Sequence, residues 1–254
     1  MLELLQDALS NDRFRLSYQP IASLHGDALE KYEILLRLHD RNDAVIPPSQ
    51  FLPVAERNGL MQSIDRWVVE HAIQMLRKPG DDRRFFVNVS NDTLHDAGFP
   101  SFLKECLSRH GADGGSLVFE LNAANLGEAV RLVSGFAAQV GSLNCTVSIE
   151  QLSVREDITR LLEQVPAGFV KLGEGALQGL ADDRVRQERL KVVVRQASQK
   201  SAETIAGFVE DAGCLQLLWN SGVHYIQGNF LQVPDESLGF DFAVEGTAQE
   251  NFQV

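Results

Sequence analysis

Cysteine is scarce in this chain: the three in 254 residues, Cys106, Cys145 and Cys214, lie far apart. None shows the close spacing of a zinc site or of a disulfide framework. They read as reduced, mostly buried thiols of an intracellular protein. Long hydrophobic runs are missing too, and no stretch approaches the ~20 apolar residues a membrane-spanning helix needs. No basic segment followed by an apolar one opens the chain. A cytoplasmic location without membrane insertion is therefore expected. Positive charge is also short. Lys and Arg number 23 against 35 Asp and Glu, a formal net charge of −12. Bulk nucleic acid is not an expected partner, because phosphate attraction needs a basic face. A small dianion is compatible, since one pocket can carry local positive charge against an acidic whole.

What is present is a steady alternation. Runs rich in β-branched and aromatic residues predict strands at Phe14–Ser23, Leu29–Leu38, Arg84–Ser90, Leu117–Leu121, Cys145–Glu150, Phe169–Leu172, Thr204–Phe208 and Tyr225–Phe230. Between them lie amphipathic stretches, among them Asp65–Leu76 and Arg184–Lys200, with apolar residues at helical spacing. Eight strands separated mainly by helices predict an α/β fold, a (β/α)8 TIM-like barrel, and the length suits a single one. The first two strands are the exception. Only Leu24–Ala28 separates them, too short for a helical crossover, so the first strand is expected to run antiparallel. Residues 1–12 look like the end of a helix connecting to an upstream domain, 13–240 form the barrel, and 241–254 read as a flexible tail.

Polar residues within these apolar strands are the informative ones: Gln19, Glu33, Arg37, Asn88, Glu120, Glu150, Lys171 and Gln227. Chemistry in such barrels sits at the carboxyl ends of the strands. A buried carboxylate without a partner is costly. Glu33, Asn88, Glu120 and Glu150 therefore admit two readings. As oxygen donors they suit a hard divalent cation; equally, they are strand-face groups paired with Arg37, Lys171 or water.

At the level of motifs, Tyr18-Gln19-Pro20-Ile21 followed by Glu33-Ile34-Leu35-Leu36-Arg37 resembles the YQPI…EALLR opening of EAL domains. Pro48–Glu56, Asn88-Val89-Ser90, Phe119-Glu120-Leu121, Val170-Lys171, Ile205–Glu210 and Tyr225–Gly228 continue the resemblance in family order. It implies a barrel with an antiparallel first strand. In active members it also implies Mg²⁺- or Mn²⁺-dependent linearisation of cyclic di-GMP.

The departures from the pattern fall on acidic positions. Where active members carry DDFG this chain has Glu150-Gln151-Leu152-Ser153, and AEGVE reads Ala206-Gly207-Phe208-Val209-Glu210. The second glutamate of ExxE is Ala123. An amide, a glycine and an alanine neither take a proton nor add charge to a metal. The resemblance thus implies a degenerate phosphodiesterase domain with no catalytic residue and no required cofactor. Glu33, Asn88, Glu120 and Glu150 would be vestigial metal positions, and Glu33 would matter little for binding.

The ligand positions the resemblance implies are retained. Gln19 and Asp65 would bond guanine edges, Arg37 a phosphate, and Leu35 would line the floor. Phe208 and Glu210 would stack on and cap a guanine, with Gln227, Gly228 and Phe230 on the last strand beside them. Each has a plainer reading: Phe208 as core, Asp65 as a helix N-cap, Gln227 as a strand-backbone partner. The closer resemblance, carried by Phe14–Gly26 and Ala206–Asp211, is to the EAL domain of FimX-type regulators of type IV pili. It implies a cyclic di-GMP receptor, with the cell pole as one placement, that contacts a PilZ-family adaptor and through it the pilus assembly ATPase. A weakly active phosphodiesterase and a nucleotide-free interaction scaffold are the alternatives.

Overall fold

The computed structural model describes residues 1–76, 83–122, 126–154 and 157–245. Within them ten strands form one sheet. These are β1 (Phe14–Pro20), β2 (Ala22–Ser23), β3 (Lys31–His39), β4 (Val45–Ile46), β5 (Arg84–Asn88), β6 (Leu117–Asn122), β7 (Thr146–Leu152), β8 (Phe169–Leu172), β9 (Glu203–Ala206) and β10 (Tyr225–Ile226). The order is β1-β3-β5-β6-β7-β8-β9-β10-β2, with β4 a short antiparallel addition to β3. From β3 through β5 to β10 every neighbouring pair is parallel. β1 pairs antiparallel with β3, as the short connection demands.

The expected first strand Phe14–Ser23 is divided. Its first part pairs with β3, whereas Ala22 and Ser23 pair antiparallel with Ile226 and Tyr225 of β10. Pro20 cannot donate to a ladder, and the chain turns at Pro20–Ile21. One bent segment therefore stands at both ends of the strand order and closes the sheet into the expected TIM-like barrel. The strand Phe169–Leu172 is found as expected, and other boundaries shift by up to four residues. The expected strand over Thr204–Phe208 stops at Ala206, that over Tyr225–Phe230 stops at Ile226, and the helix expected from Asp65 begins at Met61.

Alternation along the strands explains both the packing and the site. Outward-facing Tyr32, Ile34, Val87, Phe119, Ile149 and Val170 join the large core between sheet and helices. Inward-facing Ile21, Phe86, Val118, Phe169, Ile205 and Tyr225 form a separate small core that plugs the barrel's lower half. Two residues further along each strand, one inward step up, stand Asn88, Glu120, Lys171, Gly207 and Gln227. The same face that is dry below is polar above. The helix Leu2–Asn11 buries Leu5 and Ala8 completely. Of the segment 241–254, Phe242–Glu245 form a helical turn, and Phe242 packs edge-on against Tyr32 at 5.2 Å. Residues 246–254 lie outside the described residues.

Candidate functional site

Above the plug, the barrel opens into a cavity of about 570 Å³ at the carboxyl ends of the parallel strands. Gln19, Leu35, Asp65, Phe208, Glu210, Gln227 and Gly228 all line it. Arg37 and Phe230 do not. Arg37 shares the inward face of Leu35 one step higher, and its half-buried Nη1 donates to the Leu36 carbonyl at 3.0 Å. Phe230 is 40% exposed, and its N–H donates to the Val209 carbonyl, which sets it beside the segment carrying Phe208. Gln227, Gly228 and Phe230 follow β10 instead of lying on it.

At the cavity floor is a buried ionic cluster. Lys171 Nζ lies 2.6 Å from Glu33 Oε2 and 3.0 Å from Glu120 Oε1. The same Glu33 oxygen accepts from Gln227 Nε2 at 2.6 Å, and its other oxygen accepts from Asn88 Nδ2 at 2.8 Å. Burial would push the Glu33 carboxyl up. The Lys171 charge, with the hydrogen bonds from Lys171, Gln227 and Asn88, holds it below the usual range. Glu120 goes the other way, well above the ordinary value, driven first by burial and then by the charge of Glu33. Its Oε2 is buried without a partner. Glu150 is also raised by burial. Lys171 is raised although burial opposes it, because Glu120, Glu33 and Glu150 surround the ammonium.

The reading in which these carboxylates pair with Lys171 is the one observed. A divalent cation needs a convergent set of free oxygens. Both Glu33 oxygens are engaged, Asn88 turns its NH₂ toward Glu33, and the Lys171 ammonium stands between Glu33 and Glu120. In this arrangement the residues do not fit a hard cation. At the second DDFG position, Gln151 has a left-handed backbone (φ 62°) where the β7–β8 register shifts. Ala123 lies outside the described residues.

Asp65 is not an N-cap, since it sits at the fifth position of the helix Met61–Met75. It is 5% exposed, and its Oδ2 accepts from the Ser90 N–H at 2.8 Å and the Ser90 hydroxyl at 2.6 Å. Burial raises its carboxyl against those bonds. Any guanine contact would fall to the remaining oxygen. Phe208 is not core, being 48% exposed. Its φ is +59°, at the position where the family pattern has glycine. A side chain at Gly207 would place Cβ 3.1 Å from the Leu172 carbonyl. Sequence reasoning missed Asn229, which lines the cavity, and Arg15, which stands directly across the ladder from Arg37. Strand alternation could have located Arg15 once the register was known.

The EAL domain family matches residues 3–234, and the chain belongs to it. The crystal structure of the FimX EAL domain from Pseudomonas aeruginosa bound to c-di-GMP superposes with a TM-score of 0.89 at 32% identity, covering 95% of this chain and 98% of that one. The Xanthomonas citri FimX EAL domain in complex with c-diGMP gives 0.87 at 30% identity, over 94% and 95%. The cyclic di-GMP phosphodiesterase PdeF of Escherichia coli is 28% identical over 92% of this chain. The chain spans about a third of that protein's length, 32%.

Proposed function

We propose that this EAL domain is a catalytically inactive receptor for cyclic di-GMP that signals through protein contacts. The observation that carries the reading is the presence of uncharged Gln151 and Gly207 in the wall of a cavity with an aromatic mouth. Lys171 pairs with Glu33 and Glu120 at the floor, and the exposed Phe208 ring borders the cavity. Both FimX neighbours are complexes with this nucleotide, which supports the choice of ligand. Catalysis requires additional groups that act only in the transition state, and Gln151 and Gly207 supply none.

In this reading Arg37 grips a phosphate, Phe208 stacks on a guanine, and Gln19, Asp65, Glu210 and Gln227 supply polar contacts. Phe230 flanks the mouth and Leu35 the floor. By the FimX likeness, a PilZ-family adaptor linked to a pilus assembly ATPase is the proposed partner. Calorimetric titration in EDTA should show cyclic di-GMP binding by the wild type. Arg37→Ala should weaken it by about 1.5–3 kcal/mol, the value of a charge-assisted contact. Incubation with Mg²⁺ or Mn²⁺ should leave the nucleotide intact in wild type and in Gly207→Glu. Binding abolished by chelation, or turnover at ordinary enzyme rates of roughly 1–10³ s⁻¹, would instead assign the chain to the activity of PdeF. Pull-down of a PilZ protein with and without nucleotide tests the output.

A further inference from the structure

The amides around Glu33 form a directed chain. A carboxylate paired with an ammonium can only accept, so the group of Gln227 that sits 2.6 Å from Glu33 Oε2 must be its NH₂. The second hydrogen of that NH₂ goes to Gln19 Oε1 at 3.0 Å. Gln19 in turn points its own NH₂ at Asn229 Oδ1 (3.4 Å) and the Gln232 carbonyl (3.3 Å). Reversing Gln227 would set its oxygen against the buried Glu33 carboxylate, and reversing Gln19 would set two NH₂ groups together and its oxygen against the Gln232 carbonyl. The amide orientations therefore follow from chemistry, whichever way an amide is drawn.

One atom is left over. Gln227 Oε1 is buried without a hydrogen-bond partner, on a side chain that is 3% exposed and lines the cavity. We infer that Glu33 is a positioning residue: by holding the Gln227 NH₂ it fixes that amide and, through it, the Gln19 amide on the cavity wall, so that a ligand meets one preset pattern of donors and acceptors there. Glu33 thus has a task in binding that needs no metal, contrary to the expectation that it matters little. A neutral residue at 33 accepts or donates with equal ease, leaving Gln227 free to turn over and present either group.

The inference rests on the receptor reading for its ligand, but not for the orientation itself. In ¹H–¹⁵N spectra of the free protein, the Gln227 side-chain NH₂, assigned by its loss in Gln227→Met, should exchange slowly with solvent. In Glu33→Gln it should exchange at least about tenfold faster, in a protein that thermal unfolding shows to be folded. Unchanged exchange overturns the inference whatever the ligand. For binding, cyclic di-GMP titrations in EDTA should give at least about a fivefold loss for Glu33→Gln. The same change in a Gln227→Met background should do almost nothing, because its effect runs through that side chain. Equal losses in both backgrounds would place the action of Glu33 elsewhere and overturn it. Wild-type protein that shows the slow exchange yet ignores cyclic di-GMP would sink the receptor reading and leave the locked amide standing.

Discussion

Phe208 is held in a conformation that a bulky residue adopts at a cost, about 1–2 kcal/mol for a left-handed L-residue. Glycine at this position would relieve that strain, and its own flexibility offsets about 0.5–1 kcal/mol of the gain. About half of the residue is still buried, which contributes about 1 kcal/mol, so strain relief and lost burial nearly cancel. Phe208→Gly should therefore be about as stable as the parent in urea unfolding, while Phe208→Ala, which loses the same burial and keeps the positive φ, should be less stable. Both should bind cyclic di-GMP more weakly by about 1–3 kcal/mol through lost stacking. A Phe208→Gly protein destabilised by more than ~1 kcal/mol would mean the ring packs as core after all. Strain retained at a cavity mouth, where a smaller residue fits better, is the pattern of a site and not of a scaffold.

Between the strand ends, two loops are laced together by their backbones. The Val209 N–H donates to the Gln227 carbonyl at 3.0 Å, and the Phe230 N–H donates to the Val209 carbonyl at 3.0 Å. That approach is possible because position 228 is glycine: a Cβ there would sit 2.1 Å from the Val209 carbonyl oxygen and 2.4 Å from its nitrogen. Gly228 is thus a spacer that sets Phe208 against Gln227. Gly228→Ala should lower stability by about 1–3 kcal/mol as the loops separate, measured by urea unfolding, and should weaken binding as well. Unchanged stability would show that the loops are not coupled. These elements also mark how far the sequence could be read. Glu33 and Arg37 were legible as polar residues in an apolar strand and Leu35 from the motif that holds all three, and the antiparallel first strand was legible from loop length. The ends of β9 and β10 were not. Their apolar and aromatic runs continue through Phe208 and Phe230, while the backbone leaves the sheet at Ala206 and Ile226. Pairing of Ala22–Ser23 with β10 was equally invisible, since two residues carry no period. The acidic floor was foreseen as a set of residues with Arg37, Lys171 or water as partners, but only the register could single out Lys171.

For the molecule as a whole, the end of the barrel away from the cavity adds its own part to the pH response. His224 Nδ1 accepts from the Thr204 N–H at 3.1 Å, so the ring must be unprotonated at that nitrogen. Burial pulls its pKa below 6.5, with the charge of Glu203 opposing and that of His25 adding to the fall. In the unfolded chain the ring takes up a proton near its ordinary value while the folded protein refuses it, so its contribution to stability declines as pH drops through 6.5 toward the folded value. The raised carboxyls of Glu120, Glu150 and Asp65 act in the opposite sense, gaining as pH falls. The share of His224 is therefore read as a difference: in thermal unfolding from pH 7.5 to 5, wild type should lose more, or gain less, stability than His224→Asn, whose side-chain carbonyl can take the place of Nδ1. An identical slope in both proteins would assign the effect to other groups.

The bent segment that closes the sheet has a consequence for how the chain is made. β1 and β3 can meet as soon as both have left the ribosome, but Ala22 and Ser23 must wait for Tyr225 and Ile226. Through most of synthesis the growing sheet has a free rim, a row of unpaired N–H and C=O groups open to other chains. Joining segments so distant in sequence is slow, because loop-closure entropy is lost before any contact compensates for it. The polar upper half of the barrel can therefore become a cavity only at the end: until β10 arrives there is no Gln227 beside Glu33, and the pocket has no far wall.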